Sequence, residues 1–161
     1  MTGRKLSLEK FLLLRTGDRE DGKIKDSPLS RIGRLQIAEI YKKISHYITL
    51  HDTVDIYCPD TKSAIESSKL IKDLFLNSGI LIRDLIKDDR LFTDGPLFDY
   101  DPIWIKSELI NTTASVIIII GHIELVKWFP KELGKPKNYA RAAEGIFIGD
   151  GDVENILRDE I

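Results

Sequence analysis

Apolar residues along this chain follow two rhythms: short unbroken runs, and longer stretches that repeat near the helical period. Phe11-Leu12-Leu13-Leu14 is an unbroken run that stops at Arg15-Thr16-Gly17-Asp18, the pattern of a buried strand entering a loop. Met1 to Glu9, before it, is polar and reads as a short tail. Gly17 to Pro28 is charged, lacks an apolar period and is broken by Gly22 and Pro28, which predicts a surface loop. Ser30 can then cap a helix in which Ile32, Leu35, Ile37, Ala38, Ile40, Tyr41 and Ile44 recur at helical spacing until the pattern fades near His46. Val54 to Tyr57 predicts a second strand. After Pro59-Asp60, Thr61 can cap a helix reaching Asn77 with Ala64, Ile65, Leu70, Ile71, Leu74 and Phe75 inward, and Ser78-Gly79 ends it.

Ile80 to Leu85 alternates as a third strand would, and the Gly-, Pro- and Asp-rich stretch from Lys87 to Pro102 predicts a long loop. A helix around Ile103 to Ile110 leads to the β-branched strand Ser115 to Ile120, which ends in Gly121-His122. Leu125, Val126, Trp128 and Phe129 suggest a further helix, interrupted near Pro130. Gly145 to Ile148 and Val153 to Leu157 read as two late strands joined by a turn at Gly149-Asp150-Gly151-Asp152. Strands that alternate with helices predict an α/β fold with three layers, α/β/α, around a mostly parallel sheet, with the C-terminal antiparallel hairpin at one edge.

Composition narrows the picture. The 161 residues, 42% hydrophobic and 31% charged, suit one domain spanning 1–161. The 24 basic and 26 acidic residues nearly cancel, so no broad positive field would draw the chain to nucleic acid or to an anionic membrane. Any anion site must be local. The longest apolar run, Val116 to Ile120, is too short to span a bilayer, and no charged start followed by a sustained apolar run marks a secretory leader; a cytoplasmic protein is expected. The single cysteine, Cys58, has no internal disulfide partner and reads as a small buried residue. His46 and His51 lack Cys or carboxylate partners at ligand spacing, so neither a metal site nor a cofactor is predicted. Trp104 and Trp128 read as core.

In open α/β sheets, ligands gather beyond the carboxyl ends of the strands. The first strand delivers Arg15-Thr16-Gly17 there and the fourth delivers Gly121-His122. If these strands are neighbours, a guanidinium, a hydroxyl and an imidazole share one pocket, a set suited to phosphate or sulfate.

The residues also resemble a family. Phe11 to Gly17 resembles the strand and Arg-His-Gly signature of the histidine phosphatase (phosphoglycerate mutase-like) superfamily, with Thr16 in the histidine position. Asp26-Ser27-Pro28-Leu29-Ser30-Arg31-Ile32-Gly33-Arg34-Leu35-Gln36 resembles that family's D-x-P-L-T-x-x-G-x-x-Q pattern, Tyr57 to Ile71 its Y-S-S-P-x-x-R-A-x-x-T-A-E-L-I pattern, and Ile117 to His122 its strand ending in Gly-His. The chain length is similar to the small phosphohistidine phosphatases. The resemblance implies that the first histidine acts as nucleophile, while its neighbouring arginine, a second arginine and a second histidine hold the phosphoryl group. Carried over by position, Arg15 and His122 match, Thr16 does not, and the second arginine falls on Ser63 or, with a slip of one residue, on Lys62.

The expected phosphate-binding set is therefore Arg15, Thr16, Gly17, Lys62, Ser63 and His122, with no assigned catalytic residue. A threonine nucleophile needs a general base, and its phosphoester resists hydrolysis more than a phosphoramidate does. The sequence thus predicts a non-catalytic pseudophosphatase that binds a phosphate-containing small molecule, a phosphoprotein or another protein partner. The alternative is a phosphohydrolase using a different nucleophile or an activated water, with Asp18, Glu20 or Asp21 as base.

Overall fold

In the computed structural model, which describes residues 10–24, 26–88, 91, 113–122, 141–149 and 152–160 (backbone only at 152 and 153), the apolar runs form the middle of a six-stranded sheet. β1 (Lys10–Arg15), β2 (Val54–Cys58), β3 (Ile82–Lys87), β4 (Val116–Gly121), β5 (Gly145–Gly149) and β6 (Asp152–Ile156) lie in the order β3-β2-β4-β1-β5-β6. β3, β2, β4 and β1 run parallel; β5 is antiparallel to β1, and β6 to β5. This is the predicted mostly parallel α/β sheet with a closing hairpin. β3 begins two residues later than the alternation suggested, because Ile80 instead closes the turn after the preceding helix through its amide bond to Phe75 O.

β4 carries six residues that are all buried, as a central strand covered on both faces must be. Side chains alternate across the sheet: Leu12, Leu14, Ile56, Val116, Ile118 and Ile120 join one core cluster, while Leu13, Ile117 and Ile119 are equally inaccessible on the opposite face. The first face packs against α1 (Arg31–Ile44) and α2 (Lys62–Asn77). The helices predicted at 103–110 and 125–129, the loop at 92–102 and the residues 150–151 of the predicted turn lie outside the described residues.

Ser30 caps α1 as expected, its Oγ accepting from Gly33 N at 2.9 Å. The stripe that α1 buries is Gly33, Gln36, Ile37, Ile40 and Ile44, which leaves Ile32 and Leu35 about half exposed although both fit the apolar spacing. α2 buries Ala64, Ile71 and Phe75, with Ile65, Leu70 and Leu74 partly covered, and ends at Ser78 and Gly79, whose φ of 84° only glycine adopts without strain. More unusual is the polar part of its buried face, made of Ser63, Ser67 and Ser68.

The start of α1 is locked to the loop after β1 by close main-chain contact. A Cβ on Gly17 would lie 2.5 Å from Gly33 O, and one on Gly33 would lie 2.2 Å from Asp18 O. Side chains reinforce the join: Asp18 N donates to Gln36 Oε1 at 2.9 Å, and Gln36 Nε2 donates to Asp18 Oδ2 at 2.8 Å. The loop from β1 is thereby held over the carboxyl edge of the sheet.

Candidate functional site

β1 and β4 are adjacent and parallel, with Arg15 opposite Gly121, so Thr16 and His122 leave the sheet side by side. The backbone of Thr16 is fixed on both flanks. Its N–H donates to Gly121 O at 2.9 Å, and its carbonyl accepts from Ala143 N at 2.9 Å. Arg15 N donates to Glu144 O at 2.8 Å. Arg15 is half-buried, whereas Thr16 and His122 are each only 4% exposed. The two strand ends picked out by sequence therefore meet in one buried corner.

β2 brings α2 to the same edge. Thr61 sits at the N-cap position, but its hydroxyl does not cap the helix; Thr61 Oγ1 lies 3.0 Å from His122 Nε2. A cap from position 61 was the expectation, and the histidine has taken the hydroxyl instead. Lys62 is exposed and donates its backbone N–H to Asp26 Oδ1 at 2.9 Å, while Ser63 is fully buried. Of the two candidates at this point, Ser63 lies in the interior and Lys62 outside it. Among the described residues, Ser63 Oγ has no hydrogen-bond partner. One turn further along the same helix face, Ser67 Oγ accepts from Gly17 N at 3.3 Å, which directs this serine stripe toward the loop after β1.

The three acidic residues near the first corner turn elsewhere. Asp18 is exposed and bonded to Gln36; Asp21 Oδ1 accepts from Lys23 N at 2.9 Å within its own loop; Glu20 is exposed. His46 and His51 are exposed too, and among the described residues no group of His, Cys, Asp or Glu could hold a metal ion. Cys58 is fully buried as expected, and burial pushes its thiol up from the ordinary value of 9.0.

Sequence reasoning missed two parts of the corner. The first is the hydroxyl set of Thr61 and Ser67; the signal was three serines on the buried face of a helix, where apolar residues are the norm. The second is Glu144, 1% exposed, which grips Arg141 through Nε at 3.2 Å and Nη2 at 2.8 Å and accepts from Arg158 N at 3.0 Å. Burial alone would raise the Glu144 pKa, but the bonds from Arg141 and Arg158 outweigh it and hold the carboxyl below its ordinary value of 4.5. Arg141 also pairs with Glu160, and Arg158 Nε donates to Ala142 O at 2.7 Å. The turn that flanks Thr16 is thus tied to the residues after β6.

Among the described residues, the corner brings together Arg15, His122, the hydroxyl-bearing Thr16, Thr61, Ser63 and Ser67, and the start of α2. Residue types of this kind are able to donate hydrogen bonds to the oxygens of an anion. No protein-family model and no curated protein matches the sequence. At the level of structure, the chain has the fold shared by phosphoglycerate mutases and SixA-type histidine phosphatases. The protein histidine phosphatase SixA complexed with tungstate superposes with a TM-score of 0.66 at 14% identity, over 92% of this chain and 95% of that one. The putative phosphohistidine phosphatase SixA from Agrobacterium tumefaciens gives 0.62 at 12% identity over 96% and 99%, and the phosphoglycerate mutase from Bacillus anthracis str. Sterne 0.62 at 13% over 94% and 92%.

Proposed function

We propose that this chain is a pseudophosphatase of the histidine phosphatase fold, which binds a phosphorylated small molecule or phosphoprotein at the Arg15–Thr16–His122 corner without turning it over by a phosphohistidine route. The supporting observation is the corner itself: the strand ends lie together and buried, yet the residue beside His122 is a threonine. His122 Nε2 is engaged by Thr61, and Asp18 by Gln36, so neither is placed by these contacts as a base for Thr16. Asp18, the leading base for an alternative hydrolase, is exposed and committed to the start of α1, which weighs against that reading.

The test compares p-nitrophenyl phosphate hydrolysis by the chain as it stands with that by a Thr16→His, Ser63→Arg variant. The expected result is buffer-level turnover in the former and clear activity in the latter. Turnover by the unaltered chain that is abolished by Arg15→Ala would overturn the proposal.

A further inference from the structure

The sheet ends in two edges of different character. β3 carries Arg83, Asp84 and Lys87, and its register with β2 shifts between Val54 and Asp55; charge and irregularity of this kind blunt an edge against further pairing. β6, at the other end, contains no Lys or Pro and pairs with β5 in unbroken register. Among the described residues, β5 is the one strand bonded to β6, and no main-chain bond reaches the outer side of β6. Glu154, Asn155 and Leu157 are exposed.

Beside this edge lies a cleft of about 360 Å3. Among the described residues it is lined by Asn155, Ile156 and Leu157 on the strand side, and by Lys43 of α1 and His46 and Tyr47 of the following 3-10 turn, Ser45–Tyr47, on the other. Its walls are held in place: Ile156 packs into the core beneath α1, and the Tyr47 ring stacks on Phe147 with centroids 4.3 Å apart. Tyr47 Oη donates to Glu154 Oε2 at 2.8 Å, which keeps Glu154 on the same face as Ile156. Basic groups thus flank the C-terminal half of β6, and an acidic one stands nearer its middle. Lys43 is paired only loosely, with exposed Asp159 at 3.5 Å.

We infer that the outer edge of β6 is a self-association surface, where a second copy of this chain adds its own β6 antiparallel and continues the sheet across a two-fold axis. An antiparallel pair sets the C-terminal half of one strand against the N-terminal half of the other, so the partner's acidic residue meets the basic cleft, twice by symmetry. With Asn155 opposite the partner's Asn155, Glu154 lies opposite Ile156 of the partner subunit, on the same face, and enters the cleft beside Lys43 and His46 there. Charge fixes this register: a two-residue shift one way sets Glu154 against its own copy, which is destabilising, and the opposite shift carries it past the strand end at Ile156. A pairing of five-residue strands buries little area, so the dimer is reversible and depends on concentration.

The measurement is sedimentation equilibrium of the full chain from micromolar to millimolar concentration, for the unaltered protein, Glu154→Lys, Lys43→Glu and an equal mixture of the two variants. The unaltered chain should dimerise. Each variant alone places like charges together at both symmetry-related contacts and should weaken dimerisation at least about tenfold. In the mixture every contact joins opposite charges, so dimers should return; that recovery separates loss of the interface from loss of the fold. A chain that stays monomeric throughout the range would overturn the inference. So would a dimer that neither variant weakens, or a mixture that associates no better than the variants alone.

Discussion

Thr61 Oγ1 and His122 Nε2 lie 3.0 Å apart, joining the start of α2 to the end of β4 inside a corner where both residues are at most 4% exposed. A threonine at a helix start ordinarily caps that helix; here its hydroxyl fixes an imidazole. The relationship makes Thr61 a positioning residue for His122. Thr61→Val preserves shape but removes the hydroxyl from the ring nitrogen. It should destabilise the fold by about 1 kcal/mol, the net worth of one hydrogen bond, while Thr61→Ser should lose much less. Urea unfolding of the three proteins, compared at constant slope, checks this.

The contact of Gly17 with Gly33 gives a second expectation. Each missing Cβ would strike main-chain atoms, which cannot rotate away as a side-chain tip can. Gly17→Ala and Gly33→Ala should each cost about 3 kcal/mol, at the upper end for overpacking. A thermal melt of either variant within a degree or two of the parent would contradict the close approach.

Acid stability follows from two carboxyls. Glu144 is held below its ordinary value of 4.5 despite burial, and Asp52 below its ordinary 3.8, where burial is outweighed by bonds from Thr49, Ser115 and Lys10. Groups whose folded values are depressed contribute stability that is complete above the unfolded value and lost as pH falls through the folded one. The urea midpoint should therefore hold steady above about pH 5 and decline below it. Glu144→Gln should lower stability at pH 7 by about 1–3 kcal/mol and flatten part of that decline, leaving the share that belongs to Asp52.

Cys58 provides a probe of opening. Its thiol is inaccessible and its ionisation suppressed by burial. Ellman's reagent at pH 8 should label it only at the rate at which the fold opens, and promptly in urea. Prompt labelling of the native protein would mean that the strand end of β2 is exposed.

Much of this was legible in the linear pattern, for identifiable reasons. Strands buried on both faces need unbroken apolar runs, which Phe11 to Leu14 and Val116 to Ile120 provide; Ser30 and Gly79 punctuate the helices through local chemistry that tertiary packing did not override. Burial of individual helix positions was harder. Ile32 and Leu35 fit the apolar period of α1 yet stay half exposed, because α1 turns a stripe that includes Gly33 and Gln36 toward the loop after β1. The corner was only partly legible. Arg15, Thr16 and His122 stand at strand ends, where position alone marks them, but Thr61, Ser67 and Glu144 gain their roles from partners far away in sequence, at His122, Gly17 and Arg158. Choosing between Lys62 and Ser63 needed the rotation of α2 about its axis, which one residue of slip reverses.

The backbone of residue 16 is bonded on one side to Gly121 and on the other to Ala143, with no contribution from its own side chain. Whatever amino acid stands there is delivered to the same address. Position 16 is in effect a mount: main-chain bonds to two other segments place its Cα, so a histidine, cysteine, serine or asparagine put there starts from the same point.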